Sequence, residues 1–267
     1  DFAYVNRELE RRQGGYGRGE RMKIESDTAQ FISGVRHGQT VGSPITIFIE
    51  NRDWKNWKEA MAVEEGPDNR AKSKPLSAPR PGHADLAGCL KYNLRDARYV
   101  LERASARETA ARVATGALAK LFLREFGIEV ASHVRAVGQV ALASAPVSFE
   151  QVLALRARAE TVLNCVDAVV EARMKEEVDR ALEAQDSVGG IFEVIAHGVP
   201  AGLGSCAQWD ERLDGLLAQA VMSIQAVKAV ELGSGIENAA TFGSRVHDEI
   251  GYDRAVSRFT RQSNRAG

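Results

Sequence analysis

The residues best equipped for chemistry lie between Arg80 and Gly116. Arg80-Pro81-Gly82-His83-Ala84-Asp85 puts a histidine on a turn fixed by proline and glycine, with a carboxylate two residues further on. An imidazole titrates near neutrality and can serve as general acid or base. Downstream, Arg103-Ala104-Ser105-Ala106-Arg107-Glu108-Thr109 flanks the start of a predicted helix with arginines. The first turn of a helix leaves N–H groups unpaired and carries partial positive charge, so phosphate binding there has a direct physical cause. The combination suits an anionic, phosphate-bearing ligand that exchanges protons. Two plainer readings fit the same residues: an ordinary capped helix with two solvated arginines, and a histidine satisfied by a loop carbonyl.

A second cationic set, Arg11, Arg12, Arg18 and Arg21, surrounds the glycines of Gln13-Gly14-Gly15-Tyr16-Gly17-Arg18-Gly19-Glu20. Glycine lets the backbone approach a ligand, and arginine grips phosphate or carboxylate bidentately. The loop also reads as a surface turn, or as a short RGG-like nucleic-acid segment. His37, His133, His197 and His247 are scattered without metal-ligand spacing and read as structural. Gly202-Leu203-Gly204-Ser205 is too short for a nucleotide-binding fingerprint, and neither a Walker loop nor a Gly-x-Ser-x-Gly elbow occurs.

These residues need elements to hold them. Residues 4–12 read as a helix, Met22 to Arg36 as two short strands turning near Ser26-Asp27, and Ile45 to Glu50 as a strand. Residues 52–82 hold four of the seven prolines and many charges, a long irregular excursion of the kind that is usually functional or disordered. The helix over about 105–126 has a capping-box pattern in Ser105 and Glu108. Its apolar face is Ala110, Val113, Ala114, Ala117, Leu118, Leu121 and Phe122, and Gly127 supplies its stop. Strand follows over 128–143, helix over 148–159, strand over 163–171, helix over 172–184 and strand over 191–196. Leu213, Leu216, Leu217, Ala220, Val221 and Ile224 form a second apolar helical face, with a strand expected near 226–232. The mixture lacks a regular βαβ rhythm, so the fold class read here is α+β, as a single domain over 1–267.

With Lys+Arg at 35 and Asp+Glu at 36, the net charge of -1 argues against general nucleic-acid affinity, so any anion site is a local cluster. Cys89, Cys165 and Cys206 are too far apart for a zinc site or a redox pair, and a sparse, odd count fits a reducing cytoplasm. No apolar run is long enough to cross a bilayer. The first residues have no basic n-region, so no signal peptide is read there, and without a start methionine they are not taken as a native beginning.

Six blocks together resemble the chorismate synthase family, in the family's order. They are Arg11-Arg12 with the glycine loop to Arg18, Arg80 to Asp85, Arg103 to Thr109, Gly198-Val199-Pro200-Ala201-Gly202-Leu203-Gly204-Ser205, Ser223 to Lys228, and Ser263-Asn264-Arg265-Ala266-Gly267. The resemblance implies a β-α-β sandwich and a carbon–oxygen lyase of aromatic amino-acid biosynthesis. That enzyme converts 5-enolpyruvylshikimate 3-phosphate to chorismate by trans-1,4 elimination of phosphate. It also implies reduced FMN as cofactor, NADPH as a reductant, a cytoplasmic homotetramer, and no nucleic-acid or membrane partner.

By the same resemblance, His83 matches a catalytic histidine that protonates the reduced flavin. Arg103, Ala104, Ser105, Gln225 and Ala226 match FMN contacts, Arg12 and Arg18 match arginines for NADP or substrate phosphate, and Arg80 and Arg103 match substrate-binding positions. The family's first Gly-Glu-Ser-His-Gly block and its C-terminal glycine-rich segment have no counterpart in this sequence. A fragment is therefore expected, with a non-catalytic anion- or flavin-binding piece as the alternative to an active enzyme.

Overall fold

The computed structural model describes residues 1–17, 26–64, 75–104, 106–143, 145–158 and 162–266. Chain contacts divide it into two compact units, Asp1–Val199 and Pro200–Gly267.

The first unit opens with helix α1 (Phe2–Gln13), whose N-cap Asp1 accepts from the Tyr4 N–H and whose last turn carries Arg11 and Arg12. Strands β1 (Ala29–Ser33), β2 (Val35–Arg36), β3 (Gln39–Thr40) and β4 (Thr46–Ile49) follow. β1 pairs antiparallel with β4, and β2 with β3. Of the two strands expected between Met22 and Arg36, the part before Ser26 lies outside the described residues, and β1 begins just after Ser26-Asp27. A further break, between β1 and β2, falls at Gly34. Gly34 has φ +82°, and a Cβ there would lie 2.6 Å from the Pro44 carbonyl oxygen, so only glycine fits. The excursion after β4 contains a short helix, α2 (Trp54–Trp57), where residues 52–82 were expected to be irregular throughout. Residues 65–74 of that excursion lie outside the described residues.

Helices α3 (Asp85–Tyr92), α4 (Arg98–Arg103) and α5 (Ala106–Arg124) come next. The sequence reading anticipated only α5. Its expected cap, Ser105, lies outside the described residues, while Glu108 pairs with Arg112 one turn on. Gly127 does terminate the helix, at φ +72°. Tyr4, Val5 and Leu9 of α1 pack on Ala114 and Ala117 of α5, with Phe31, Ile47 and Ile49 of the β1–β4 ribbon against the same core. The small alanines let the two helices approach closely, and burying the larger side chains stabilises the layer by roughly 1.5–3 kcal/mol each.

The second core lies around β5 (Glu129–Val137), which pairs antiparallel with β6 (Val140–Ala141) and with the long edge strand β7 (Gly190–His197). Helix α6 (Phe149–Ala154) has a capping box. The Ser148 side chain accepts from the Gln151 N–H, and the Gln151 side chain accepts from the Ser148 N–H. Helix α7 (Ala168–Glu183) covers the sheet, with Met174 fully buried beside Val137, Val140 and Cys165. The strand expected over 163–171 is absent. Asn164 sits at φ 63°, and Asp167 accepts from the N–H groups of Val169 and Val170, so helix begins where an apolar run suggested strand.

In the second unit, helices α8 (Leu213–Met222) and α9 (Gly235–Asn238) precede a hairpin of β8 (Ile250–Asp253) and β9 (Arg258–Arg261). The apolar face predicted for α8 forms at helical spacing, yet Leu216 and Leu217 stay exposed. No strand forms at 226–232, because Val227 N–H closes a turn onto the Ile224 carbonyl and Ala226 adopts φ 69°. Asp248 is buried and accepts from Ser263 Oγ at 2.5 Å and from the N–H groups of Arg265 and Ala266. The architecture is α+β. No helix among the described residues is long and apolar enough to cross a membrane.

Candidate active site

The turn before α3 carries the densest polar constellation. The His83 N–H donates to the Arg80 carbonyl at 3.3 Å, which closes the turn that Pro81 and Gly82 set up. Asp85, the first residue of α3, has a side chain with no exposed surface. Its Oδ2 accepts from Arg80 N at 3.1 Å and from Arg80 Nε at 2.9 Å. Its Oδ1 lies 3.3 Å from Arg80 Nη2 and 2.5 Å from His83 Nδ1. The Arg80 guanidinium, opposed by burial and helped by the Arg80 N–H and the His83 ring, holds the Asp85 carboxyl well below the usual carboxylate range. Arg80 itself is shifted upward by the same bond. The result is a histidine and an arginine held side by side on one buried carboxylate.

Gly88 of α3 lies against Val100 of α4, where a Cβ would come within 2.6 Å of Val100 Cγ1. That contact falls three residues after Asp85 and three before Arg103, so it packs together the helices that bear them. Arg103 is the exposed last residue of α4, and Ala104 then turns the chain extended before α5 begins. Among the described residues, no hydrogen bond or ion pair links Arg103 to His83. Asp96 secures the approach to α4 by accepting from the N–H groups of Leu76 and Arg98.

Arg12 is nearly buried. Its Nη1 lies 2.8 Å from Asp27 Oδ2, and its Nη2 donates to Thr109 Oγ1 at 3.0 Å. Arg18 and Ser105 lie outside the described residues. Beside Asp27, a cavity of about 360 Å³ opens between β4 and α5, with Ile47, Ile49 and Ala114 among its walls and Arg107 on its lining. His83 and Arg103 do not line it. Arg107 pairs with Glu102 of α4. Gln225 and Ala226, in the second unit, are both exposed.

Two of the remaining histidines make contacts within the fold: His133 is buried and meets its cross-strand partner Glu193 at 2.7 Å, and His197 stacks on Phe149. His37 and His247 are exposed. Among the described residues, no group of His, Cys, Asp or Glu side chains converges as a metal site.

Sequence reasoning noted Asp85 only as a neighbour of His83, and did not see Asp27 or Thr109 as partners of Arg12. The two-residue spacing was the one available signal for Asp85. Nothing local signalled the other two, since the Arg12–Thr109 bond spans 97 positions.

Comparison with known proteins is unambiguous about ancestry. The family model described as chorismate synthase matches residues 1–267. A chorismate synthase of Koribacter versatilis is 60% identical over the whole chain, which covers 68% of that protein. One from Acidobacterium capsulatum is 61% identical with the same coverage. One from Aquifex aeolicus is 52% identical over 98% of this chain and 67% of its own length. A solved chorismate synthase crystal structure superposes with a TM-score of 0.79 at 44% identity, covering 99% of this chain and 69% of that one. On sequence and on fold alike, the chain belongs to the chorismate synthase family.

Proposed function

We propose that the chain acts as an FMN-dependent carbon–oxygen lyase, eliminating phosphate and a ring proton from 5-enolpyruvylshikimate 3-phosphate to form chorismate. The observation that carries this reading is the Arg80–His83–Asp85 cluster, in which a titratable ring and a fixed cation share one buried carboxylate. Expelling a phosphate dianion requires developing charge to be met by donors already in place. Arg80 and Arg103, with Arg12 and Arg18, would supply that charge around the substrate's anionic groups, and His83 would hold the proton to be exchanged.

The residues present suit a flavin within each unit taken by itself. In the first, Arg103 is an exposed cation at the end of α4, and Ala104 after it carries only a methyl group. In the second, Ala226 keeps a left-handed backbone, a conformation costing of order 1–3 kcal/mol that tends to persist where a ligand site needs it. Gln225 adds an amide donor and acceptor beside it. When bound, the reduced flavin supplies electron density to the reacting ring. As the alternative to substrate phosphate, Arg12 and Arg18 would receive the phosphate of NADPH as reductant, with Arg12 exchanging Asp27 for the incoming anion. The homotetrameric, cytoplasmic enzyme expected of the family is the assembly in which these sites would operate.

The test is anaerobic turnover of the reduced-FMN enzyme, following chorismate and phosphate together. His83→Ala should lower kcat on the order of 10²–10⁴-fold, the usual loss for a positioned acid or base. Unchanged kcat in that variant would remove His83 from the chemistry.

A further inference from the structure

Asp85 is bound more tightly than a helix-capping carboxylate needs to be. Acidic side chains are almost never fully buried unless paired, and this one, with no exposed side-chain surface, is paired on both oxygens. Oδ2 is saturated by the backbone and Nε of Arg80, while Oδ1 takes Arg80 Nη2 and the His83 ring. Its ionised state matters for the histidine, because an ionised carboxylate only accepts. At 2.5 Å, His83 Nδ1 must therefore be the donor in that contact.

The arginine does not choose between the ring nitrogens. Arg80 Nη2 lies 3.0 Å from both of them, which puts it against the ring and off either in-plane lone pair. The Asp85 contact alone selects the neutral form, protonated on Nδ1 and open on Nε2.

We propose that Asp85 is a positioning residue for the reaction, holding His83 through Nδ1 so that Nε2 is the atom through which the proton passes. This rests on the reading of His83 as the proton-exchanging group. The carboxylate never touches substrate in this scheme. It fixes the tautomer and the ring plane, and it holds Arg80 at the same time. Arg80 remains half-exposed and can turn to the substrate's anionic groups, while the in-plane lone pair on Nε2 stays open.

Two measurements test the proposal. The first is the proton position itself, read by neutron crystallography of the deuterated wild-type enzyme at about pH 9, well above the ordinary histidine range. Deuterium on Nδ1 of His83 is expected; deuterium on Nε2 alone overturns the assignment. This readout needs neither turnover nor bound flavin, and it decides the matter even if Asp85 variants fold poorly.

The second is a double-mutant cycle in the reduced-FMN enzyme. Asp85→Asn should lower kcat on the order of 10²-fold or more, as befits losing a positioned acid or base, while any rise in KM reports the Arg80 that Asp85 also holds. In a His83→Ala background the same change should lower kcat by a clearly smaller factor, what remains being the share carried through Arg80. Equal losses with and without His83 would show that Asp85 acts independently of the ring and would overturn the proposal. Full activity in His83→Ala would instead sink the acid role itself, a failure distinct from a misassigned tautomer.

Discussion

Arg12, at the last turn of α1, donates from Nη2 to Thr109 Oγ1 on α5 at 3.0 Å, while its Nη1 rests on Asp27. The bond joins the first of the six family blocks to the third, and it braces the helix pair whose packing forms the first core. The arrangement makes Arg12 a brace between helices, apart from the phosphate contact proposed for it. Asp27→Ala removes the carboxylate at Arg12 Nη1 and should destabilise the fold by about 1.5–3 kcal/mol. Thr109→Val removes a neutral acceptor and should cost only about 0.5–1.5 kcal/mol. Urea unfolding would show lower midpoints with unchanged slopes.

Acid should unfold the chain in part through Asp85. Its carboxyl is depressed in the folded state by Arg80, so the unfolded chain binds the proton more readily. A depressed carboxyl contributes stability above its unfolded value, near pH 4, and loses it as pH falls toward the lower folded value. Wild type should therefore lose more stability than Asp85→Asn between about pH 5 and pH 2. Parallel stability curves for the two proteins across that range would contradict the assignment.

Met174 has no exposed surface and fills the space between α7 and the β5–β6 hairpin. Met174→Ala should cost about 2–5 kcal/mol, depending on how far Val137, Val140 and Cys165 close around the gap. Met174→Leu conserves volume and should cost less than about 1.5 kcal/mol. Thermal unfolding of the two variants checks both values.

Ala226 holds a left-handed backbone that glycine adopts without strain. Ala226→Gly should leave stability unchanged or raise it by up to about 1 kcal/mol, since relief of strain and added chain entropy oppose each other. A β-branched substitution, Ala226→Val, should destabilise the second unit and weaken FMN binding, measured by quenching of flavin fluorescence.

The sequence was most readable where periodicity ran long. Helix α5 shows its apolar face over several turns, and the end at Gly127 follows from a residue that tolerates positive φ. Short elements set by partners were not readable. α3 and α4 depend on Gly88 meeting Val100, a contact that no local pattern announces. Two apolar stretches, around 163–171 and 226–232, looked like strands because β-branched residues favour strands. Left-handed Asn164 and Ala226 break them instead, and neither position advertises its conformation as glycine would. In the site, His83 and Arg80 stood out by type and spacing. The carboxylate that organises them did not, because its burial and its four hydrogen bonds are properties of the folded turn.

Asp248 clasps the backbone at Arg265 and Ala266 across the neck of the β8–β9 hairpin. The clasp insulates the segment from Ser263 to Ala266 from events at the hairpin tip. Residues added around Ala255 and Val256 would lengthen an already closed loop, at roughly 0.6 kcal/mol for each doubling of its length. Relatives can therefore gain or lose sequence at that tip while the clasped segment stays in register.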